Sequence, residues 1–102
     1  MIHIVAIMTA IRGQREAVVS EFLRNLPTVL LEPGCVRYIP VIDVEGAPAA
    51  LARLGPDAFM VIEEWATREA VEAHAASAHM VDYAGRVEGL LLSRVIYALQ
   101  DI

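Results

Sequence analysis

The chain has 102 residues and a mass of 11.1 kDa, which leaves room for one domain over residues 1–102 and excludes a two-domain enzyme. Hydrophobic residues make up 57% of it, above the roughly 45–50% apolar share of a typical globular domain. A domain this small buries only about 60–70% of the surface of its unfolded chain. The apolar residues that one copy cannot bury therefore predict a subunit interface or an apolar pocket.

The charges and the apolar runs exclude several classes of protein. The net charge is −5, with eight arginines, no lysine and thirteen carboxylates, so we expect no nucleic-acid partner. Uninterrupted apolar runs such as residues 4–8 fall far short of the roughly 20 residues of a membrane span, and no membrane partner is expected. The N-terminus lacks the cationic stretch of a signal peptide, which favours a cytoplasmic location. Cys35 is the only cysteine, so an internal disulfide is excluded and a free, buried thiol is expected.

The first third of the chain predicts a strand, a helix and a second strand. Residues 2–11 are largely apolar at both alternate sets of positions, which is typical of a strand covered on both faces. Gly13 breaks this strand, and apolar residues then recur at helical spacing, which predicts a helix over residues 13–30. Residues 35–44 follow Pro33-Gly34 and are rich in β-branched and aromatic residues, and Pro40 places this predicted strand at an edge or a bulge.

The rest of the chain repeats this order. Residues 45–57 contain Gly and Pro around an Ala-rich stretch that could form one helical turn, so they predict a connection with an insertion. Residues 57–65 predict a third strand. Thr67 is a candidate N-cap of a short helix whose inner stripe directs His74 toward the core. A second helical piece is expected over residues 78–89 and a final strand over residues 91–102.

This βαββαβ order predicts an α+β, ferredoxin-like fold with a four-stranded antiparallel sheet and the helices on one face. The other face of the sheet is left open. Because the first and third strands are apolar on both sides, we expect a second copy to close that face, which makes the protein a homodimer.

Several short motifs point to a family. They are Gly13, the run Glu-Pro-Gly-Cys-Val-Arg-Tyr at residues 32–38, Phe-Met-Val-Ile-Glu-Glu-Trp at 59–65, Ala-Val-Glu-Ala-His at 70–74 and Ser-Ala-His at 77–79. In this order they resemble the antibiotic biosynthesis monooxygenase domain over nearly the whole chain. The resemblance implies a dimeric α/β barrel, in which two sheets pack face to face and each protomer keeps a cleft between its sheet and its helices.

Members of this family have several activities, so the fold alone does not fix the function. They include cofactor-independent oxygenases that convert anthrones or hydroquinones into quinones, haem-degrading enzymes, and proteins that act on small signalling molecules. The haem degraders share an Asn on the first strand, a Trp on the helix after the third strand and a downstream His. This chain has Ala6, His74 and Ala84 at those positions, which argues against haem degradation.

The candidate catalytic residues are His74, Tyr83 and His79. An imidazole can accept a phenolic proton at neutral pH, which favours His74 as the acid or base, and the alternative is a hydrogen-bonded core histidine. His79 lies at the break between the two helical pieces, where a capping or surface role is equally natural. His-x4-His is not the spacing of a metal pair on one helix face and no phosphate-binding glycine loop is found, so we predict neither a metal nor another cofactor.

The candidate substrate-binding residues are Trp65, Glu63, Tyr38 and Met8. Glu63 beside an aromatic residue could have a raised pKa, although a salt bridge with an arginine at the interface is the simpler interpretation. Trp65 could stack on a flat substrate or only pack the core. Tyr38, Tyr83 and Tyr97 could each offer a hydroxyl group, and Met8 supplies an adaptable apolar wall.

These observations predict a cofactor-independent monooxygenase that oxidises a small aromatic quinol- or anthrone-like substrate with O₂. A small-molecule carrier or sensor without turnover is the alternative from the binding class. A haem-binding relative is the third interpretation.

Overall fold

The computed structural model describes all 102 residues and confirms the βαββαβ order, with the second helix divided in two. The elements are β1 (Ile2–Ala10), α1 (Arg15–Leu30), β2 (Cys35–Val41), β3 (Ala58–Trp65), α2 (Arg68–Ala76), α3 (Ala78–Val87), a 3₁₀ turn (Glu88–Leu90) and β4 (Leu91–Leu99). All strand pairs are antiparallel, in the order β2-β3-β1-β4. None of the helices is long and apolar enough to cross a membrane.

The predicted second strand is too long, because the chain turns away from the sheet after Val41. The last pair of β2 joins Val41 to Met60. Two residues later, the carboxylate of Asp43 accepts hydrogen bonds from the backbone N–H groups of Leu54 and Gly55, at 2.8 and 3.0 Å. These bonds close residues 43–55 into a loop. Its Ala-rich stretch forms a single hydrogen-bonded turn, from the N–H of Leu51 to the carbonyl of Pro48 at 3.0 Å, and no helix.

Other predicted boundaries shift by a few residues. The first helix begins at Arg15, because Gly13 has a left-handed φ of +79° and donates its N–H to Asp57. The second helical piece ends at Val87, where the 3₁₀ turn begins. The final strand ends at Leu99, which pairs with His3 near the start of β1, so the strand has almost no partner left beyond that point.

One face of the sheet carries the helices and the buried core. Alternate residues of β1 and β3 point to this side and are almost fully buried, and α1 contributes Val18, Phe22 and Val29. The ring of Phe22 stacks on Tyr38 with centroids 5.5 Å apart and meets Phe59 edge-on at 5.6 Å. Phe22 therefore joins α1 to both β2 and β3.

The opposite face of the sheet is apolar, as predicted, and nothing in the protomer covers it. The strand register places two apolar rows across all four strands, one made of Ile39, Ile62, Val5 and Tyr97 and the other of Val41, Met60, Ile7 and Val95. Tyr97 and Val95 are 51% and 43% exposed. We call these eight residues the open face.

A tight turn joins α1 to β2 and places the side chain of Glu32. Pro33 and Gly34 are its central residues, Gly34 has a φ of +83°, and the N–H of Cys35 donates to the carbonyl of Glu32 at 3.1 Å. This is the pattern of a type II turn, which favours Pro followed by Gly. The turn is fixed to the sheet because the carbonyl of Gly34 accepts the N–H of Ala66 at 2.8 Å.

Candidate functional site

A cavity of about 250 Å³ lies between the sheet and the helices. Its floor comes from β1, β2, β3 and β4, and its roof from α1, α2 and α3. The lining is mainly aliphatic and aromatic, and the ionisable side chains in it are those of Tyr38, Glu63, His74, Tyr83 and Arg94. An apolar cleft with a few polar groups is typical of a small-molecule site.

His74 reaches this cavity from α2, whose position is fixed at both ends. The hydroxyl of Thr67 accepts the N–H of Ala70 at 3.1 Å, which confirms the predicted N-cap. At the other end, the N–H and the hydroxyl of Ser77 both donate to the carbonyl of His74, at 3.2 and 2.7 Å. His74 is 8% exposed, so its side chain points into the protein as predicted.

Glu32 contacts both histidines of the His-x4-His motif. Its Oε2 lies 2.8 Å from Nδ1 of His74, and its Oε1 contacts Nε2 of His79. The three side chains are mostly buried, with exposed fractions of 14%, 9% and 24% for Glu32, His74 and His79. His79, the second residue of α3, therefore belongs to this mostly buried cluster.

The contact with Glu32 sets the tautomer of His74. A carboxylate can only accept hydrogen bonds, so the neutral imidazole carries its proton on Nδ1 and leaves the lone pair of Nε2 free. Burial lowers the pKa of His74, and the nearby Glu32 carboxylate only partly opposes this effect. The neutral imidazole is thus the dominant form at neutral pH, as a general base requires.

Glu63 is held by its neighbour on the same face of β3. The indole N–H of Trp65 donates to Oε1 of Glu63 at 2.9 Å in a buried environment. Burial raises the pKa of Glu63 to about 7, and the hydrogen bond from Trp65 limits the rise. No arginine of the same protomer lies within salt-bridge distance of Glu63.

The cavity brings together most of the sequence-predicted site residues. Met8, Tyr38, Glu63, His74 and Tyr83 line it. Burial raises the pKa of Tyr38 and raises that of Tyr83 to about 12, so both phenols remain protonated and can donate hydrogen bonds.

The remaining candidates lie elsewhere. Trp65 is fully buried beside His74, with ring centroids 4.6 Å apart, and it does not line the cavity. His79 also lies outside the lining, and Tyr97 belongs to the open face. Cys35 is half-buried rather than buried as expected, and burial raises the pKa of its thiol, which disfavours a nucleophilic thiolate.

Two residues of this site received no role from the sequence. Glu32 is 42 residues from His74 in the chain, so no spacing rule joins the two, and its place at the start of the motif over residues 32–38 was the only signal. Arg94 belongs to an alternating strand, where its register opposite Met8 directs it to the cavity side. Among the described residues, no group of three or more His, Cys, Asp or Glu side chains is arranged to hold a metal ion.

Comparison with known proteins identifies the family. The model of the antibiotic biosynthesis monooxygenase family matches residues 1–86. A protein of Escherichia coli K12 named "Probable quinol monooxygenase YgiN" is 35% identical over 102 residues, covering 98% of this chain and 97% of its own length.

Solved structures show the same fold. A protein of Nitrosomonas europaea has a TM-score of 0.83 at 18% identity, covering 99% of this chain and 89% of its own. One of Deinococcus radiodurans has a TM-score of 0.82 at 17% identity, with coverages of 99% and 92%. The chain belongs to the antibiotic biosynthesis monooxygenase family.

Proposed function

We propose that this protein is a cofactor-independent monooxygenase that oxidises a small aromatic quinol- or anthrone-like molecule with O₂. The observation that carries the proposal is His74, a buried neutral imidazole held by Glu32 at the wall of an apolar cavity. The similarity to a protein named as a quinol monooxygenase supports it.

In this reaction His74 removes a proton from the substrate through Nε2. The resulting anion is rich in electrons and reduces O₂, and one oxygen atom is then retained on the ring carbon while the other leaves as water. For an anthrone the ring CH₂ group becomes C=O, and for a quinol a ring C–H becomes a C–O group as the quinol becomes a quinone. The substrate supplies all four electrons that O₂ takes up, so no external reductant is needed.

The other cavity residues would assist this chemistry. Tyr38 and Tyr83 can donate hydrogen bonds to oxygen atoms of the substrate as negative charge develops on them. The mainly apolar lining would limit the contact of the anion with water, and Met8 would form part of the wall against the aromatic ring. Trp65 acts behind the cavity wall, where it positions Glu63 and packs against His74.

Oxygen-18 labelling tests the reaction. With labelled O₂ and a panel of naphthohydroquinones and anthrones, we expect one labelled oxygen in the product and the other in water. Hydrogen peroxide and an unlabelled quinone would instead identify an oxidase. Ligand binding without oxygen uptake would favour a carrier or sensor, and a Soret band after haem titration would favour a haem protein, although Ala6 and Ala84 offer no ligand at the cavity wall.

We also propose that two copies associate through the open face. Two apolar rows that cross all four strands are a large patch to leave in water, and a stable interface should bury more than about 1,200 Å². Light scattering should report twice the 11.1 kDa of one chain.

A charged residue on the open face should separate the two copies. Tyr97→Glu should yield monomers, whereas Leu23→Glu, at a similarly exposed position on α1, should leave the dimer intact. A wild-type protein that is monomeric at micromolar concentration would contradict this proposal.

A further inference from the structure

Arg94 is the one positively charged side chain in the lining of the cavity, apart from any charge on His74. It lies on β4 opposite Met8 and faces the helices. Three other arginines, Arg15, Arg24 and Arg86, form ion pairs with glutamates, but no carboxylate lies within 4.0 Å of Arg94. Arg94 is an exposed residue, so it lies where the cavity opens to solvent, and its guanidinium group is free to bind a ligand.

Tyr83 provides a second unused group, on the helix side of the same cavity. The residue is 6% exposed, and its hydroxyl is buried without a hydrogen-bond partner in the protein. Buried polar groups are nearly always paired. Among the charges around this hydroxyl, that of Arg94 acts on it most strongly. Both side chains line the same cavity, so one ligand in it can contact both.

The one carboxylate in the cavity lining, that of Glu63, lies toward the other end of the cavity. Glu21 also acts on the Tyr83 hydroxyl, but its charge is paired with Arg86. Arg94 belongs to β4, one edge of the sheet, whereas Glu63 is on β3 and Glu32 precedes β2, toward the other edge. An anionic group in the cavity would be attracted to Arg94 and repelled from the end that holds His74. A charged substituent would therefore orient the molecule with its opposite end at the base.

The size of the cavity limits the ring system. A cavity of about 150 Å³ in a protein core holds benzene, so about 250 Å³ suits two fused rings.

We infer that Arg94 and Tyr83 form a carboxylate-binding subsite, and that the substrate is a one- or two-ring aromatic quinol that carries a carboxylate. The guanidinium group binds the two carboxylate oxygens through paired N–H donors, and the Tyr83 hydroxyl donates to one of them. The substrate class rests on the proposed function, whereas the subsite can be tested by binding alone.

The test compares 2-naphthoate with 2-naphthamide, which have nearly the same shape and differ in charge. Neither is a quinol, so calorimetric titration measures binding without turnover. We expect the wild-type protein to bind the carboxylate about 10- to 100-fold more tightly than the amide, the range for hydrogen bonds to a charged group. Arg94→Gln should abolish this preference, and Tyr83→Phe should reduce it several-fold.

Arg68→Gln is the matched control, because it removes the same charge from an exposed residue outside the cavity and should leave the preference unchanged. Equal affinities in the wild-type protein, no binding of either compound, or a preference that survives Arg94→Gln would overturn the subsite. If the preference is present but no quinol consumes oxygen, the proposed reaction fails and the subsite stands.

Discussion

Replacing His74 with glutamine is expected to lower the rate of quinol-dependent oxygen uptake by about 10²- to 10⁴-fold, the usual contribution of a general base. The amide of glutamine can still donate to Glu32, so the buried carboxylate keeps a partner, but it cannot accept a proton at neutral pH. Thermal unfolding of the same sample should change little. His74→Ala should show the same loss of rate together with a loss of stability of about 1–3 kcal/mol, because Glu32 loses a hydrogen-bond partner.

The pH profile separates His74 from Glu63 as the base. Burial lowers the pKa of His74 below its usual 6.5, whereas burial raises that of Glu63 to about 7. If His74 is the base, the rate should decrease as the pH is lowered, with a midpoint below pH 6.5. The Glu63→Gln variant should show the same decrease at low pH. Glu32→Gln should move the midpoint lower still, because the Glu32 carboxylate opposes the effect of burial.

The free energy of unfolding should also depend on pH through the titration of His74. The pKa of His74 is lower in the folded than in the unfolded state, so the unfolded state binds more protons as the pH falls through 6.5. Protonation of His74 in acid therefore lowers the free energy of unfolding of the wild-type protein. In the His74→Gln variant this contribution to the pH dependence should be absent. An unchanged rate in the glutamine variant would move the catalytic assignment to Tyr83 or His79.

Gly34→Ala is expected to have the largest effect on folding. A Cβ at this position would lie 2.7 Å from the Cβ of Ala70, and the φ of +83° is unfavourable for any residue with a side chain. Strain of about 1–2 kcal/mol from the left-handed conformation adds to an overpacking cost of about 1–3 kcal/mol. The sum is a large part of the stability of a domain of this size, and it should appear as a lower midpoint of urea unfolding.

Gly46→Ala is the matched control, since Gly46 has a φ of +73° and no atom within 4 Å of an added Cβ. This variant should lose only the stability that corresponds to the strain of the left-handed conformation. Gly34→Ala combined with Ala70→Gly should recover most of the overpacking cost. A Gly34→Ala variant as stable as the Gly46→Ala variant would show that α2 moves away from the turn at little cost.

The local features of the fold could be predicted from the sequence because they depend on near neighbours. Apolar residues on both faces mark β1 and β3, and Thr67 marks the start of α2. The end of β2 could not be predicted, because it depends on the bonds from the Leu54 and Gly55 N–H groups to Asp43, which join parts of the chain eleven and twelve residues apart.

The contacts within the site could not be predicted from local sequence patterns, because they join residues that are far apart in the chain. Helical phase was enough to direct His74 inward, but its partner Glu32 is separated from it by β2, the long loop and β3. Tyr97 lies on the open face because of the register of β4 with β1, whereas Tyr83 lines the cavity because α3 packs over the sheet.

The two faces of β1 serve different purposes, because Ile4, Ala6 and Met8 line the cavity while Val5 and Ile7 belong to the open face. A single-residue insertion or deletion within β1 would exchange these sets, since side chains alternate across a strand. The loop over residues 43–55 carries no such constraint, as it contributes nothing to the cavity lining or to the open face. Changes in chain length during evolution should therefore be tolerated in this loop and eliminated from β1.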